Sequence, residues 1–374
     1  MRILVAHQVP RARTGGMSRL MGFVHDRVAA AGHEVDYLCA DDVPERWSGA
    51  YGRRIAFPLA VYARVKAAAL EGRGYDVVNI HEPSAAPTVF ARRRDRAPAV
   101  VVTSHGLECR AWALAKEEAR LGREAPGWRT RLLYPPSGLW PGSWALRGAD
   151  HVFCLNEEDR CELVERFGRP VHTVTRITPG ADLVFATVAG GRDYETPRRL
   201  LFAGTWRKNK GIEDLVPAFT ALAERHESLS LRIVGAGVPP DVVLERFPGS
   251  IRSRVSLASP DDERGTAQEF AAADVFVLPS LFEGTPLTLM QAMMSGLPIV
   301  TTATCGMKDV VVDRRNGLLV PIRRPDRICG AIEALLADRG LREALGCLAR
   351  ADALKCHTWD SAAVPVLKAY ERLM

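Results

Sequence analysis

The stretch that most restricts the fold is "VFVLPSLFEGTPLTLMQAMMSGLPIVTT", residues 275–302. It reads as a fully apolar strand, a turn, a short helix, a glycine stop and a second apolar strand. Two continuous apolar strands this close, joined by one helix, must lie parallel and be covered on both faces. The same alternation runs through both halves of the chain. In the first half, "RILVAH" precedes "GGMSRLMGFVHDRVAAAG", where Met17, Leu20, Met21, Val24 and Val28 recur at helical spacing and Gly32 supplies the stop. "EVDYLC", "YDVVNI", "PAVVVTSH", "HVFCLN" and "VHTVTRI" are further strands. Asn156, with Asp159 three residues on, predicts a capped helix after "HVFCL". Periodicity fades over 183–199, which reads as a linker. "LLFAGTWRKNKGIEDLVPAFTALAER" then restarts the pattern, and "LRIVGAG", "RVSLAS", "DVFVLPS", "LPIVTT" and "GLLVP" continue it.

A chain of 374 residues fits two domains of this kind. The expected division is 1–182, a linker at 183–199, a second domain over 200–357 and a closing helix over 358–374. A hydrophobic share of 47% and a charged share of 25% are those of a soluble globular protein. No apolar run reaches membrane-spanning length, and the N-terminus lacks a signal-peptide pattern, so a cytosolic chain is expected. The eight cysteines are scattered without a C-x-x-C pair, which points to reduced thiols rather than a disulfide framework or a zinc site. The net charge of +6 reflects either codon bias or an anionic partner. No zinc-finger spacing or basic heptad supports nucleic acid.

Ligands of open parallel sheets bind outside the carboxyl ends of the strands, which directs attention to the residues following each one. "GTWRKNKG" leaves a strand and opens a helix. Gly204 lets a ligand approach the backbone, and Arg207, Lys208 and Lys210 add positive charge suited to a diphosphate. The alternative is a basic surface turn. "LRIVGAGVPP" fails as a dinucleotide fingerprint, because prolines follow Gly235 and Gly237; a tight turn is the favoured reading. His81 and His105 each follow a buried strand. His81 reads as a structural residue, whereas His105, followed by Gly106, reads as functional. Gly15 and Gly16 either relax a turn or leave room for phosphate at a helix N-terminus. Glu283 sits between a strand end and a helix start, where it either caps the helix or faces a ligand. The amides of Gly284, Thr285 and Leu287 are expected at the same place, with Pro286 in the first helical turn. Leu107–Arg147 is basic and holds four tryptophans. It reads as ordinary helices or as a face for anionic lipid.

In their order, "TGGMSRLM", "YDVVNIHEP", "VVVTSHGLE", "ADHVFCLNEEDR", "RITPGAD", "LLFAGTWRKNKGIEDLVPAF", the 275–302 stretch, "RRNGLLVP" and "HTWDSAA" resemble the retaining glycosyltransferases of family 4, over nearly the whole chain. The resemblance implies an α/β fold of the GT-B type. Two doubly wound Rossmann-like domains would face each other across a cleft, with the last helix crossing back to the first domain. It implies a nucleotide-sugar donor held by the second domain, with UDP-sugar the default and GDP-sugar the alternative. The acceptor, a glycan, lipid or small-molecule hydroxyl, would be held by the first.

Carried over by position, Lys210 contacts the donor diphosphate, with Gly16, Gly204, Thr205, Arg207, Lys208, Thr285, Pro286 and Leu287 around it. Glu283 binds sugar hydroxyls near the anomeric face, and His105 lies near the donor sugar. Gln291 stands where the family has a second glutamate, at the ribose, beside Gly235 and Gly237. Thr205 replaces an arginine common in the family, and "PGAD" replaces "NGVD". Front-face chemistry is implied, with the leaving phosphate taking the acceptor's proton and domain closure excluding water. No Asp-x-Asp motif is present, so neither metal nor cofactor is expected. A role in bacterial cell-envelope polysaccharide or glycolipid synthesis follows from the same resemblance, with peripheral contact at the inner face of the membrane as a further expectation. The competing readings are an epimerase or phosphorylase of the same fold, and a non-catalytic sugar-nucleotide binder.

Overall fold

A computed structural model describes all residues except 13–14, 45–49, 92–97 and 124; Thr14 of "TGGMSRLM" therefore lies outside the described residues. The chain forms two compact units, Met1–Thr178 with Asp360–Met374, and Pro179–Trp359.

The first unit holds a six-stranded parallel sheet: β1 (Arg2–Ala6), β2 (Glu34–Leu38), β3 (Val77–His81), β4 (Ala99–Thr103), β5 (His151–Cys154) and β6 (Val174–Arg176), in the order β2-β1-β3-β4-β5-β6. The order reverses next to β1, the arrangement that opens a crevice at the carboxyl ends of β1 and β3. Ile3, Leu4, Val77, Val78, Val100, Val101 and Val152 are fully buried, as continuous apolar strands covered on both faces require. Of the predicted strand 171–177, only Val174–Arg176 is extended, because Val171–Thr173 winds into a 3₁₀ turn. Asn156 caps the helix Glu157–Glu165 by accepting from the Asp159 amide at 2.7 Å. The Asp159 carboxylate does not complete a capping box. It accepts instead from the Leu107 amide and from Arg110.

The last helix, Trp359–Arg372, packs within this unit through a buried network. The His25 Nδ1–H donates to the Met21 carbonyl at 2.9 Å, which leaves Nε2 to accept from the Tyr370 hydroxyl at 2.9 Å. Asn79 Nδ2 donates to the same hydroxyl oxygen at 2.7 Å, and Thr103 Oγ1 donates to Asn79 Oδ1 at 2.7 Å. Tyr370 is thereby tied to two strand residues and a helix despite its distance in sequence.

The second unit repeats the plan with β7 (Arg199–Ala203), β8 (Ser230–Val234), β9 (Val255–Ala258), β10 (Val275–Leu278), β11 (Ile299–Thr302) and β12 (Leu318–Val320), ordered β12-β11-β10-β7-β8-β9. Residues 183–199, expected as a linker, belong to this unit. They contain the helix Val184–Ala189, whose Phe185 is fully buried and meets Phe270 edge-on at 5.4 Å. One helical turn and a half is too short to show periodicity, and its apolar anchor was hidden by the glycines and charges after it. The division between units falls at Thr178–Pro179 instead. The eight cysteines are free thiols, and no described helix is long and apolar enough to cross a membrane.

Candidate active site

In the second unit the carboxyl ends of β7, β8 and β10 bring three turns together. The turn after β7 begins at Gly204, whose positive φ of 148° suits glycine. Trp206 anchors it by burying its ring against Phe202 and Phe247, and its amide donates to the Ala236 carbonyl at 2.7 Å. Thr205 is therefore exposed beside the turn after β8, 3.7 Å from where a Cβ on Gly237 would stand. Gly235 and Gly237 both have left-handed φ, near 70°, and lead through prolines into Pro240–Leu244. They make the tight strand-to-helix turn that their spacing indicated.

Lys208–Lys210 forms a 3₁₀ turn that ends on left-handed Gly211, which opens the helix Ile212–Arg225. A Cβ on Gly211 would stand 1.8 Å from the Pro279 carbonyl oxygen, so glycine is the only residue that fits. The close approach lets the Leu281 amide donate to the Asn209 carbonyl at 2.8 Å. The loop after β10 is thus docked on the loop after β7. On its other side, the Gly306 amide donates to the Gly284 carbonyl at 2.9 Å, and a Cβ on Gly306 would collide with Gly284 and Thr285.

This clamping brings Lys210 Nζ to 2.6 Å from Glu283 Oε1. Their side chains are only 16% and 13% exposed, so the pair is largely out of water while keeping an opening to it. Ser280 Oγ donates to the same oxygen at 3.2 Å. Lys210, expected at a diphosphate, and Glu283, expected at sugar hydroxyls, therefore hold one another. Of the two further cations expected beside them, Lys208 Nζ lies 3.9 Å from Glu213 Oε1, so it is drawn toward the helix. Arg207 is exposed and makes no ion pair among the described residues.

Pro286 occupies the N-cap of Leu287–Met294, with extended backbone, rather than the first helical turn. The helix is apolar and buried nearly all round, and Gln291 is a polar exception at 5% exposure with no side-chain hydrogen bond among the described residues. Thr288, one turn earlier, has a buried Oγ1 that likewise lacks a hydrogen bond. Residues three apart share a helix face, so the two polar groups flank one patch.

In the first unit, Gly16 is the first residue of Gly16–Ala30. Ser18 caps that end by exchanging hydrogen bonds with the Gly15 backbone, and no acidic residue occupies the first turn. His105 and His81, read separately from the sequence, are bonded: His105 Nε2 lies 2.8 Å from His81 Nδ1. His7 stands beside them, its ring 5.7 Å from that of His81. Burial, and then the neighbouring His7, pull the His105 pKa down to about 3; burial holds His81 well below the ordinary histidine value. Both rings are therefore neutral at physiological pH. Glu82, next in sequence to His81, has its carboxyl pushed up to about 8 by burial and then by Glu108. Sequence reasoning missed Ser280, Asn209, Gly306 and His7. Their one local signal is position, each being a small or polar residue within a few residues of a strand end.

Two parallel sheets, each with a ligand-facing carboxyl edge, define the GT-B architecture. Solved structures agree: sucrose-phosphate synthase from Thermosynechococcus elongatus covers 100% of this chain and 98% of its own at a TM-score of 0.77 and 22% identity. Anabaena HepE, solved with UDP, covers 100% of both chains at 0.70 and 14% identity. The family model for Glycosyltransferase Family 4 matches residues 14–185, and that for Glycosyl transferases group 1 matches 197–338. The chain belongs to this glycosyltransferase family. A D-inositol 3-phosphate glycosyltransferase of Xylanimonas cellulosilytica is 32% identical over 239 residues, 59% of this chain and 57% of that protein. The chain's match spans about half the length of the first curated relatives, 48% and 57%.

Proposed function

We propose that the chain is a retaining glycosyltransferase that moves a sugar from a nucleotide sugar to a hydroxyl acceptor without a metal. The observation that carries this reading is the Lys210–Glu283 pair, 2.6 Å apart, largely desolvated, and fixed at the carboxyl edge of a parallel sheet. Cleaving an anomeric bond places negative charge on the leaving diphosphate and positive character on the sugar ring. A fixed ammonium stabilises the first and a fixed carboxylate the second. When a donor enters, Lys210 exchanges Glu283 for phosphate oxygens, Arg207 adds charge from the same turn, and Glu283 is freed to accept from sugar hydroxyls. The leaving phosphate takes the acceptor's proton, so no side-chain base is required. Uridine diphosphate is the first nucleotide to test, since the HepE neighbour was solved with it. We place the nucleoside at Gln291 and the Gly235–Gly237 turn.

We further propose that the acceptor or its carrier is lipid-associated. Trp128 is 70% exposed, Phe90 63%, and Trp140 and Trp144 each 55%, on the same unit as Arg129 and Arg147. Phe90, Trp144, Arg147 and Gly148 line an open pocket of about 410 Å³. Aromatic rings beside arginines match the amphipathic depth profile of an anionic bilayer surface.

The test is a thermal-shift screen of UDP, GDP and their sugars on wild type, Lys210→Ala and Glu283→Ala. A ligand bound only to the folded state raises the midpoint. Wild type should shift and Lys210→Ala should not, while Glu283→Ala keeps nucleotide binding and loses sugar transfer. An unchanged Lys210→Ala shift refutes the site. Turnover without an acceptor would reveal an epimerase, and dependence on inorganic phosphate a phosphorylase. Binding without turnover would leave a non-catalytic binder.

A further inference from the structure

The contact between His81 and His105 fixes which nitrogen of each ring carries the proton. Both rings are neutral, so one donates and the other accepts across the 2.8 Å contact. His81 is 1% exposed, and its Nε2 is buried with no hydrogen-bond partner among the described residues. Were His105 the donor, His81 would carry its own proton on Nε2, as a buried N–H with nowhere to go. Were His81 the donor through Nδ1–H, its Nε2 would be a bare lone pair. An orphaned buried donor is the costlier and rarer of the two. The neighbours obey the same logic. His7 Nδ1 meets the Val9 carbonyl at 3.1 Å and so carries a proton, and His7 Nε2 takes the Cys39 thiol at 3.6 Å.

We propose that His81 is a positioning residue that donates to His105 Nε2 and so holds His105 as the Nδ1–H tautomer, whose free N–H is offered to a substrate oxygen. His105 Nδ1 makes no hydrogen bond among the described residues, and the ring is only partly buried. His105 is thus a hydrogen-bond donor to a hydroxyl or phosphate oxygen and not a proton acceptor. Neutral imidazole in water prefers the opposite tautomer, so the protein must impose this one. The substrate contact rests on the glycosyltransferase reading above; the tautomer does not.

The experiment is long-range ¹H–¹⁵N correlation of the histidine rings of the full chain at neutral pH, with the His105 signals assigned by their loss in His105→Gln. His105 should show a protonated Nδ1 and an unprotonated Nε2; a protonated Nε2 overturns the proposal. In His81→Leu the restraint is gone and His105 should revert to Nε2–H. In His81→Asn, whose amide nitrogen takes the place of Nδ1, it should keep Nδ1–H. Identical His105 tautomers in the two variants overturn it, and if His81→Leu fails to fold, wild type and His81→Asn still decide. Transfer rates should fall about tenfold or more in His81→Leu and less than about threefold in His81→Asn. Equal rates would remove the positioning role, whereas a correct tautomer with no transfer activity in wild type would count against the glycosyltransferase reading alone.

Discussion

At the scale of single residues, the candidate site is a set of polar groups whose partners lie far away in sequence. Glu283 and Lys210 were each legible from local chemistry, one before a helix and one in a basic glycine turn. Their pairing was not, because 73 positions separate them and no local rule links a turn after one strand to a loop after another. His81 read as structural because nothing near it in sequence shows that His105 lies 2.8 Å away. Gln291 was the reverse case: the family resemblance marked it as unusual, and the structure buries its side chain among apolar neighbours. With the nucleoside placed at this helix as proposed, a glutamine there would accept from a ribose hydroxyl through its carbonyl but forgo a charge-assisted bond. Gln291→Glu should therefore tighten nucleotide binding by about 1 kcal/mol, roughly fivefold in Kd, with kcat little changed. Titration calorimetry measures this, and an unchanged Kd would remove residue 291 from the nucleoside site.

At the scale of elements, the strands were the most legible part, because buried parallel strands appear as uninterrupted apolar runs. Helix-length gaps between them specified the layers. What escaped were the short pieces: the six-residue helix at 184–189 and the 3₁₀ turns, where too few residues exist to show a period. The docking of the 280–286 loop on the Lys208–Gly211 turn was equally invisible, although Gly211 is its cause. Gly211→Ala places a methyl 1.8 Å from a carbonyl oxygen and forces a left-handed φ of 74° on alanine. It should cost about 2–4 kcal/mol and separate the Lys210 and Glu283 loops, so that nucleotide affinity and stability fall together. Denaturant unfolding and nucleotide titration of the same variant check both. A variant of normal stability and affinity would show that the close approach is not needed.

At the scale of the whole molecule, two properties follow from what is buried and what is not. His25 and His151 are buried, and burial draws each pKa down to about 4. An unfolded histidine gains its proton near pH 6.5 and these folded ones only near 4. Their contribution to stability is therefore complete above pH 6.5 and drains as pH falls toward 4, by up to about 3 kcal/mol for each ring. Glu82 acts oppositely, since a carboxyl held near 8 loses stability as pH rises from 4.5 to 8. Calorimetry of Glu82→Gln, where the opposing group is gone, should show Tm falling between pH 6.5 and 4.5 more steeply than in wild type. Parallel slopes would contradict a buried, neutral Glu82. The exposed aromatic and arginine face predicts a second outcome: the protein should sediment with vesicles containing anionic lipid and not with neutral ones. Replacing Trp128, Trp140 and Trp144 by serine should cut that binding at least tenfold, about 1.4 kcal/mol, with stability almost unchanged because the rings are more than half exposed.

The contact between Gly211 and Pro279 also bears on how this candidate site could be redesigned. Because one loop is seated on the other, the two act as a single structural part. A library that varies the 204–210 turn alone will mostly return unstable proteins, whereas exchanging it together with 279–286 from one relative keeps the seat intact. New donor preferences should therefore be reached by paired segment swaps rather than by single substitutions.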